Sequence, residues 1–386
     1  MFNIAVIGMG LRARGVFGSL YDCEKNVRLV AVCDPRDREE LRAEIKNMGQ
    51  DETSVAFYDD ADKMLDEVRP DGVIVGTRCS LHVKMALKVI KRKIPLFLEK
   101  PVATNREDMD LLWNEWQKVK SPVVVSFPLR VTRLAQEVKK IIDSGEVGEI
   151  QHIAAFNYVT YGGDYYHSWY RDESETGGLW LQKATHDFDY INSLIGQKPV
   201  SICATHSKQI MKGDKPAGLR CEDCEEKDTC REGPTCIVRE TEDFVHGPFC
   251  CFATDTGNQD SGTAIIKYEN GMHAVYTQNF FVRNKKDARR GAILAGTKGV
   301  VEFDWVSEEI RYTNHYIPGW RTYHIKSTGN HSGGDTVLAK EFLKVLRGGE
   351  SEISMVDGIR SCMMCLTAEQ SAKEEKFLPL AYDGVL

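Results

Sequence analysis

Near its start the chain reads Phe2-Asn3-Ile4-Ala5-Val6-Ile7 and runs directly into Gly8-Met9-Gly10-Leu11-Arg12-Ala13-Arg14-Gly15. An apolar run of strand length is followed by Gly8, Gly10 and Ala13 at the G-x-G-x-x-A spacing. That spacing lets backbone amides and the N-terminus of the next helix approach a pyrophosphate, so Leu11, Arg12 and Ala13 are candidate contacts with Gly8 and Gly10. The second apolar run ends in Val32-Cys33-Asp34-Pro35-Arg36. A carboxylate at Asp34 accepts hydrogen bonds from ribose hydroxyls and repels a 2′-phosphate, which favours NAD over NADP. Arg36 weighs the other way, because an arginine there accommodates that phosphate. A glycine turn that only helps strand and helix pack explains less, since strand, helix and acid all stand in the expected order.

Outward from this stretch, residues 1–126 alternate apolar runs with amphipathic segments. Most of the runs at 2–7, 27–33, 55–58, 72–76, 96–99 and 123–127 are apolar on both faces, as strands covered on both sides must be. Helical segments at 80–92 and 105–118 each open on a capping residue, Ser80 and Asn105. Beyond residue 127 the pattern turns to long alternating strands. Runs at 262–269 and 272–280 flank Asn270-Gly271, a hairpin signal that suits a type I′ turn, and 290–295 pairs with 300–305. Helices at 335–346 and 356–374 close the chain. The expected fold is an α/β Rossmann domain with a doubly wound parallel sheet over 1–126. An α+β domain follows over 127–386, with a large, mostly antiparallel open sheet and a Cys-rich insertion at about 211–240.

With 386 residues and 42% apolar content the chain has enough material for two cores. A net charge of −7 argues against general nucleic-acid or anionic-membrane binding. No window approaches the length of a membrane span, and the start lacks a signal-peptide pattern. Twelve cysteines in such a chain read as thiols or metal ligands, and a cytoplasmic location is expected.

Farther along stands Phe97-Leu98-Glu99-Lys100-Pro101 at the end of the fifth run, the edge where doubly wound sheets bind ligands. With the glycine loop, Asp34-Pro35, the Thr77…His82 segment, Ser144-Gly145-Glu146-Val147-Gly148-Glu149-Ile150 and Gly177-Gly178…His186…Asp189, the sequence resembles the glucose–fructose oxidoreductase / inositol dehydrogenase (Gfo/Idh/MocA) family. The resemblance implies oxidation or reduction of a sugar, polyol or related ring alcohol with NAD(P), and dimers or tetramers. It makes Lys100 the contact to the reacting oxygen and His186 the acid/base. It also assigns Thr77, His82 and Glu99 to the cofactor side.

The residue chemistry agrees. A histidine titrates near working pH and suits removal of a hydroxyl proton, while a lysine ammonium stabilises a developing alkoxide. One departure stands out. Where many family dehydrogenases carry an aspartate four residues before the histidine, this chain has Gln182, which cannot relay a proton. Lys183, three residues before His186, is therefore a third catalytic candidate, and Gln182 and Asp187 are candidate substrate contacts.

The segment 158–171, with Tyr158, His167, Trp169 and Arg171, holds aromatic faces for sugar rings and polar groups for hydroxyls or a carboxylate. Packing of the loop explains any one of these residues equally well. His331 is a further candidate contact, and Asp335 reads as a helix cap. Cys221, Cys224, Cys230 and Cys236 have the count of a four-thiolate structural zinc site, or of an iron–sulfur cluster, in a segment too polar for a core. Cys362 and Cys365 read as core cysteines. The leading function is an NAD(H)-dependent oxidoreductase acting on a carbohydrate, as a homo-oligomer. An NAD-dependent glycosidase that oxidises a ring carbon transiently, and a non-catalytic NAD sensor, are the alternatives.

Overall fold

The computed structural model describes residues 1–160, 162–233 and 247–380, which group into two compact units. Of the described residues, the first contains Met1–Arg133 and Thr328–Met363, and the second contains Leu134–Ser327 and residues 364–380.

In the first unit, β1 (Phe2–Ile7), β2 (Val27–Cys33), β3 (Ala56–Tyr58), β4 (Gly72–Val75), β5 (Leu96–Leu98) and β6 (Val123–Val125) alternate with helices. These are α1 (Leu11–Cys23), α2 (Arg38–Asn47), α3 (Ala61–Val68), α4 (His82–Ile90) and α5 (Arg106–Val119). The strands pair in parallel in the order β3-β2-β1-β4-β5-β6. Every residue of β4, β5 and β6 is buried, as the double-sided apolar runs require. Asn105 caps α5 by accepting from the Asp108 amide. Ser80 is not at the N-cap of α4, which is Leu81: it lies inside a short 3-10 turn, Cys79–Leu81, that precedes that helix.

The second unit opens with α6 (Arg133–Asp143). Its elements are β7 (Ile150–Tyr158), α7 (Gly162–His167), α8 (Glu173–Thr176), α9 (Thr185–Ile195), β8 (Pro199–Ser207), β9 (Ser261–Tyr268), β10 (His273–Asn279), β11 (Arg289–Gly296), β12 (Gly299–Asp304), β13 (Glu309–Asn314) and β14 (Ile317–His324). With β15 (Leu378–Pro379) the strands form a sheet ordered β14-β13-β12-β11-β7-β10-β9-β8-β15. Its ladders are antiparallel except β7 with β10. Aromatic side chains of α9 pack on one face, Phe188 against Tyr276 at 5.3 Å and Tyr190 against Phe303 at 5.9 Å between ring centres. The edge strand β14 is exposed along its whole length.

The turn at Asn270-Gly271 differs from expectation. Tyr268 O accepts from Gly271 N at 3.0 Å and Tyr268 N donates to Met272 O. Only Gly271 has positive φ (89°) there, so Glu269-Asn270-Gly271 is a three-residue loop with one left-handed residue, not a two-residue type I′ turn.

The closing helices are α10 (Gly334–Leu346) and α11 (Met355–Glu374). The sequence reading assigned α10 to the second domain, but it belongs to the first unit. Phe342 packs edge-on against Phe97 at 5.7 Å, and Ile353 O accepts from Val125 N at 3.1 Å. Cys362 and Cys365 are fully buried, as expected of core cysteines.

Candidate functional site

The loop between β1 and α1 has the shape of a nucleotide cradle. Gly8 has φ +78°, and a Cβ there would lie 2.6 Å from Thr77 Cα, so both conformation and crowding demand glycine. Gly10 differs. Its φ is −70°, and an added Cβ would meet only Gly76 O at 3.7 Å. Neither backbone conformation nor packing within the fold requires a glycine at that position, and its small size leaves room for a ligand to approach the backbone. Gly10 is the N-cap of α1, no side chain caps that end, and no acid stands in its first turn. Leu11 projects outward, 78% exposed, while Ala13 is buried. These residues fit a pyrophosphate, which would be held by backbone amides at the positive end of the helix.

Asp34 stands beside the loop. Its Oδ2 accepts from Met9 N at 2.7 Å, and its Oδ1 accepts from Arg36 N at 3.0 Å and Arg36 Nε at 3.1 Å. Arg36 is tied on every side, donating also to Met9 O at 2.6 Å, Glu40 at 2.9 Å and Glu44 at 3.1 Å. Glu44, on α2, was not singled out by the sequence. It also forms an ion pair with Arg14 of α1. Arg36 and Glu44 are eight residues apart, on a loop and a helix, so no local motif links them.

Arg12, partly exposed, is held by two carboxylates. Its guanidinium lies 3.3 Å from Glu99 and donates to both Asp335 oxygens at 3.1 and 3.2 Å. Ser126 Oγ donates to Glu99 Oε1 at 3.0 Å. His331 Nδ1 is 3.0 Å from Asp335, within the same cluster. Asp335 does not cap α10: Gly333 is the N-cap, and the Asp335 carboxylate in the first turn is the acceptor of this clamp. His82 is fully buried, with Nδ1 2.7 Å from Pro101 O and Nε2 3.2 Å from Thr77 O. It thereby ties the strand-four turn to the segment after Lys100. Burial holds its imidazole below the ordinary value, against the pull of both carbonyls. Thr77 donates its hydroxyl to Arg78 O at 3.1 Å. Lys100 is half-buried just past β5 and precedes a cis peptide to Pro101.

In the second unit His186 lies in the first turn of α9, after a π-helical turn over Trp180–Ala184. π turns are rare and recur at functional sites. The wider turn breaks the one-turn spacing assumed between Gln182 and His186. Gln182 is buried and donates to Thr176 O at 2.9 Å. Lys183 Nζ lies 5.3 Å from the centre of the Tyr165 ring. Lys183 and His186 are both buried, at 8% and 7% exposure.

Several candidate substrate contacts have internal partners. Asp187 is fully buried and accepts from Asn157 at 2.6 Å, Tyr276 at 2.9 Å and Arg290 at 3.0 Å. Arg171 is buried, paired with Asp255, and donates to Thr256 at 2.9 Å. His167 Nδ1 lies 2.7 Å from Phe249 O. Trp169 stacks on Tyr170 at 3.9 Å and Tyr158 ends β7; both remain partly exposed.

Cys236 lies outside the described residues, and among the described residues no three His, Cys, Asp or Glu side chains gather as a metal needs. Cys221 points inward, its Sγ 3.4 Å from Phe249 O, and burial with nearby cysteines pushes its thiol up to about 11. Backbone bonds hold the loop: Cys221 N to Pro248 O at 2.7 Å, and Cys250 N to Leu219 O at 2.8 Å. No described helix is long and apolar enough to cross a membrane.

Comparison with known proteins matches two family descriptions in tandem. Residues 2–127 match the NAD-binding Rossmann fold of the GFO/IDH/MocA oxidoreductase family, and residues 135–302 match a GFO/IDH/MocA C-terminal domain. The protein YteT of Bacillus subtilis (strain 168) is 25% identical over 323 residues, covering 74% of this chain and 75% of its own. The myo-inositol 2-dehydrogenase of Thermotoga maritima (strain ATCC 43589 / DSM 3109 / JCM 10099 / NBRC 100826 / MSB8) is 24% identical over 207 residues, 53% of this chain and 58% of its own. Among solved structures, levoglucosan dehydrogenase in complex with NADH and levoglucosan superposes with a TM-score of 0.76 at 17% identity. That match covers 98% of this chain and 99% of the other, and shows a shared fold.

Proposed function

Because the chain belongs to the GFO/IDH/MocA oxidoreductase family, we propose that it is an NAD-dependent dehydrogenase or reductase acting on a sugar, polyol or sugar-derived alcohol. The observation that carries the nucleotide half is Gly10, a glycine that neither backbone conformation nor packing requires, at the uncapped start of α1. Asp34 beside it supports NAD over NADP. The substrate class rests on relatives named as inositol dehydrogenases and on a neighbour named levoglucosan dehydrogenase.

Bound NAD would supply the hydride acceptor; the remaining work falls to the chain's own residues. Lys100 stabilises the alcohol oxygen as negative charge develops on it, through a charge-assisted hydrogen bond. His186 takes the hydroxyl proton. Burial of Lys183 within the π turn supports a role in setting the charge near His186. Incubation with NAD and a panel of cyclitols, sugars and anhydrosugars tests the reading: NADH must accumulate in step with loss of the alcohol. Cleavage of a glycoside with no NADH at the end would favour the transient-oxidation reading instead.

The same proposal includes self-association through the second unit, whose edge strand leaves Trp320 67% and Ile317 63% exposed. A monomeric mass by light scattering at micromolar concentration would contradict that part.

A further inference from the structure

We propose that Glu44 is a cofactor-specificity residue, which acts by engaging the two arginines that a 2′-phosphate would otherwise recruit. This inference rests on the nucleotide reading above and deepens it. Arg14 projects from α1 and Arg36 from the loop after β2, so both reach the side of the glycine loop where Asp34 stands. Either would be a natural phosphate ligand, as a planar guanidinium pairs well with phosphate oxygens.

Neither is free to act as one. Glu44 Oε1 pairs with Arg14 and lies 3.1 Å from Arg36 Nη1, while Glu44 Oε2 lies 3.2 Å from Arg36 Nη2. Arg36 is thus gripped through both terminal nitrogens by one carboxylate. The remaining groups facing it are Asp34 at 3.1 Å, Glu40 at 2.9 Å and Met9 O at 2.6 Å. Three carboxylates therefore face two guanidiniums, and an entering dianion meets surplus negative charge. Among the acids, Glu44 alone bridges both arginines. Its side chain is 17% exposed, against 54% for Glu40, so solvent screens its pairs less. Asp34 is the acid visible in the sequence, and Glu44 is the second half of the same selectivity, supplied from a different element.

The test measures NAD and NADP dissociation constants by intrinsic tryptophan fluorescence in wild type, Glu44→Gln, and Glu44→Gln with Arg36→Ala. Glutamine keeps the shape and helix preference of glutamate but removes its charge, and thermal melts verify that each variant is folded. Glu44→Gln is expected to tighten NADP binding about tenfold while NAD binding changes less than about twofold. The gain should fade at high salt, as a charge effect must. Removing Arg36 as well should reduce the gain, leaving only what the released Arg14 supplies. Arg14→Gln on the wild-type background provides an independent reading and should leave NADP affinity within about twofold, because that arginine is already engaged. An unchanged NADP/NAD ratio in Glu44→Gln, or equal weakening of both nucleotides, would overturn the proposal while leaving the nucleotide reading intact. Binding of neither nucleotide by wild type would instead remove the reading on which it stands.

Discussion

Arg12 and Asp335, 323 positions apart in the chain, form a two-pronged ion pair, with Nη1 3.1 Å and Nη2 3.2 Å from the two carboxylate oxygens. The pair fastens the helix that follows the glycine loop to α10. Burial by itself would raise the Asp335 carboxyl, but hydrogen bonds from His331 and Arg12 outweigh it and hold the group well below the usual carboxylate range. A depressed native value means the contribution is fully present above the unfolded value near 4, and is lost as pH falls through the native one. Asp335→Asn should cost about 1–3 kcal/mol near neutral pH, a figure reduced because Arg12 keeps Glu99 and is about one-third exposed. Urea melts from pH 7 to pH 3 provide the check: the variant should lose part of the acid-side decline that wild type shows.

Asp187 is expected to behave as a core residue. It is fully buried against Arg290, whose side chain is 11% exposed. Asp187→Ala removes the carboxylate of a buried ion pair and its hydrogen bonds to Asn157, Tyr276 and Arg290, and should destabilise the second unit by about 3–5 kcal/mol. A denaturation midpoint within experimental error of wild type, combined with a raised KM, would return Asp187 to the substrate.

How much was legible in the sequence can be judged from these residues. Gly8, Gly10, Ala13 and Asp34 were readable because a strand, a tight turn and a helix follow one another without interruption. Their roles depend on neighbours a few positions away. His167, Arg171 and Asp187 were read as substrate contacts on residue type. Their actual partners, Phe249, Asp255 and Arg290, lie about 80 to 100 positions downstream and arrive only through tertiary folding. Gln182 was placed by ordinary helical spacing, which the π turn at Trp180–Ala184 invalidates. Glu44 carried no signal at all, because its meaning depends on two arginines from other elements.

Lys100→Met and His186→Ala should each lower kcat by about 100-fold or more while NAD still binds, as expected of groups that act mainly in the transition state. Steady-state kinetics with a confirmed alcohol, beside fluorescence titration of NAD, separates the two effects. Near-normal kcat in either variant would remove that residue from the mechanism.

His82 should oppose acid. Burial lowers its native value below that of the unfolded chain, so stability rises with pH through the range just below 6.5 and is lost as the imidazole charges on acidification. His82→Gln should flatten the stability profile just below about pH 6.5 in thermal melts. An unaltered slope there would assign that pH dependence to other groups.

Titration calorimetry of the purified protein with NAD and with NADP tests the NAD-tuned nucleotide cradle most directly. One NAD is expected to bind per chain, tighter than NADP, with the preference shrinking in Asp34→Ser. No heat of binding for either nucleotide at millimolar concentration, or tighter binding of NADP by the wild-type protein, would contradict it.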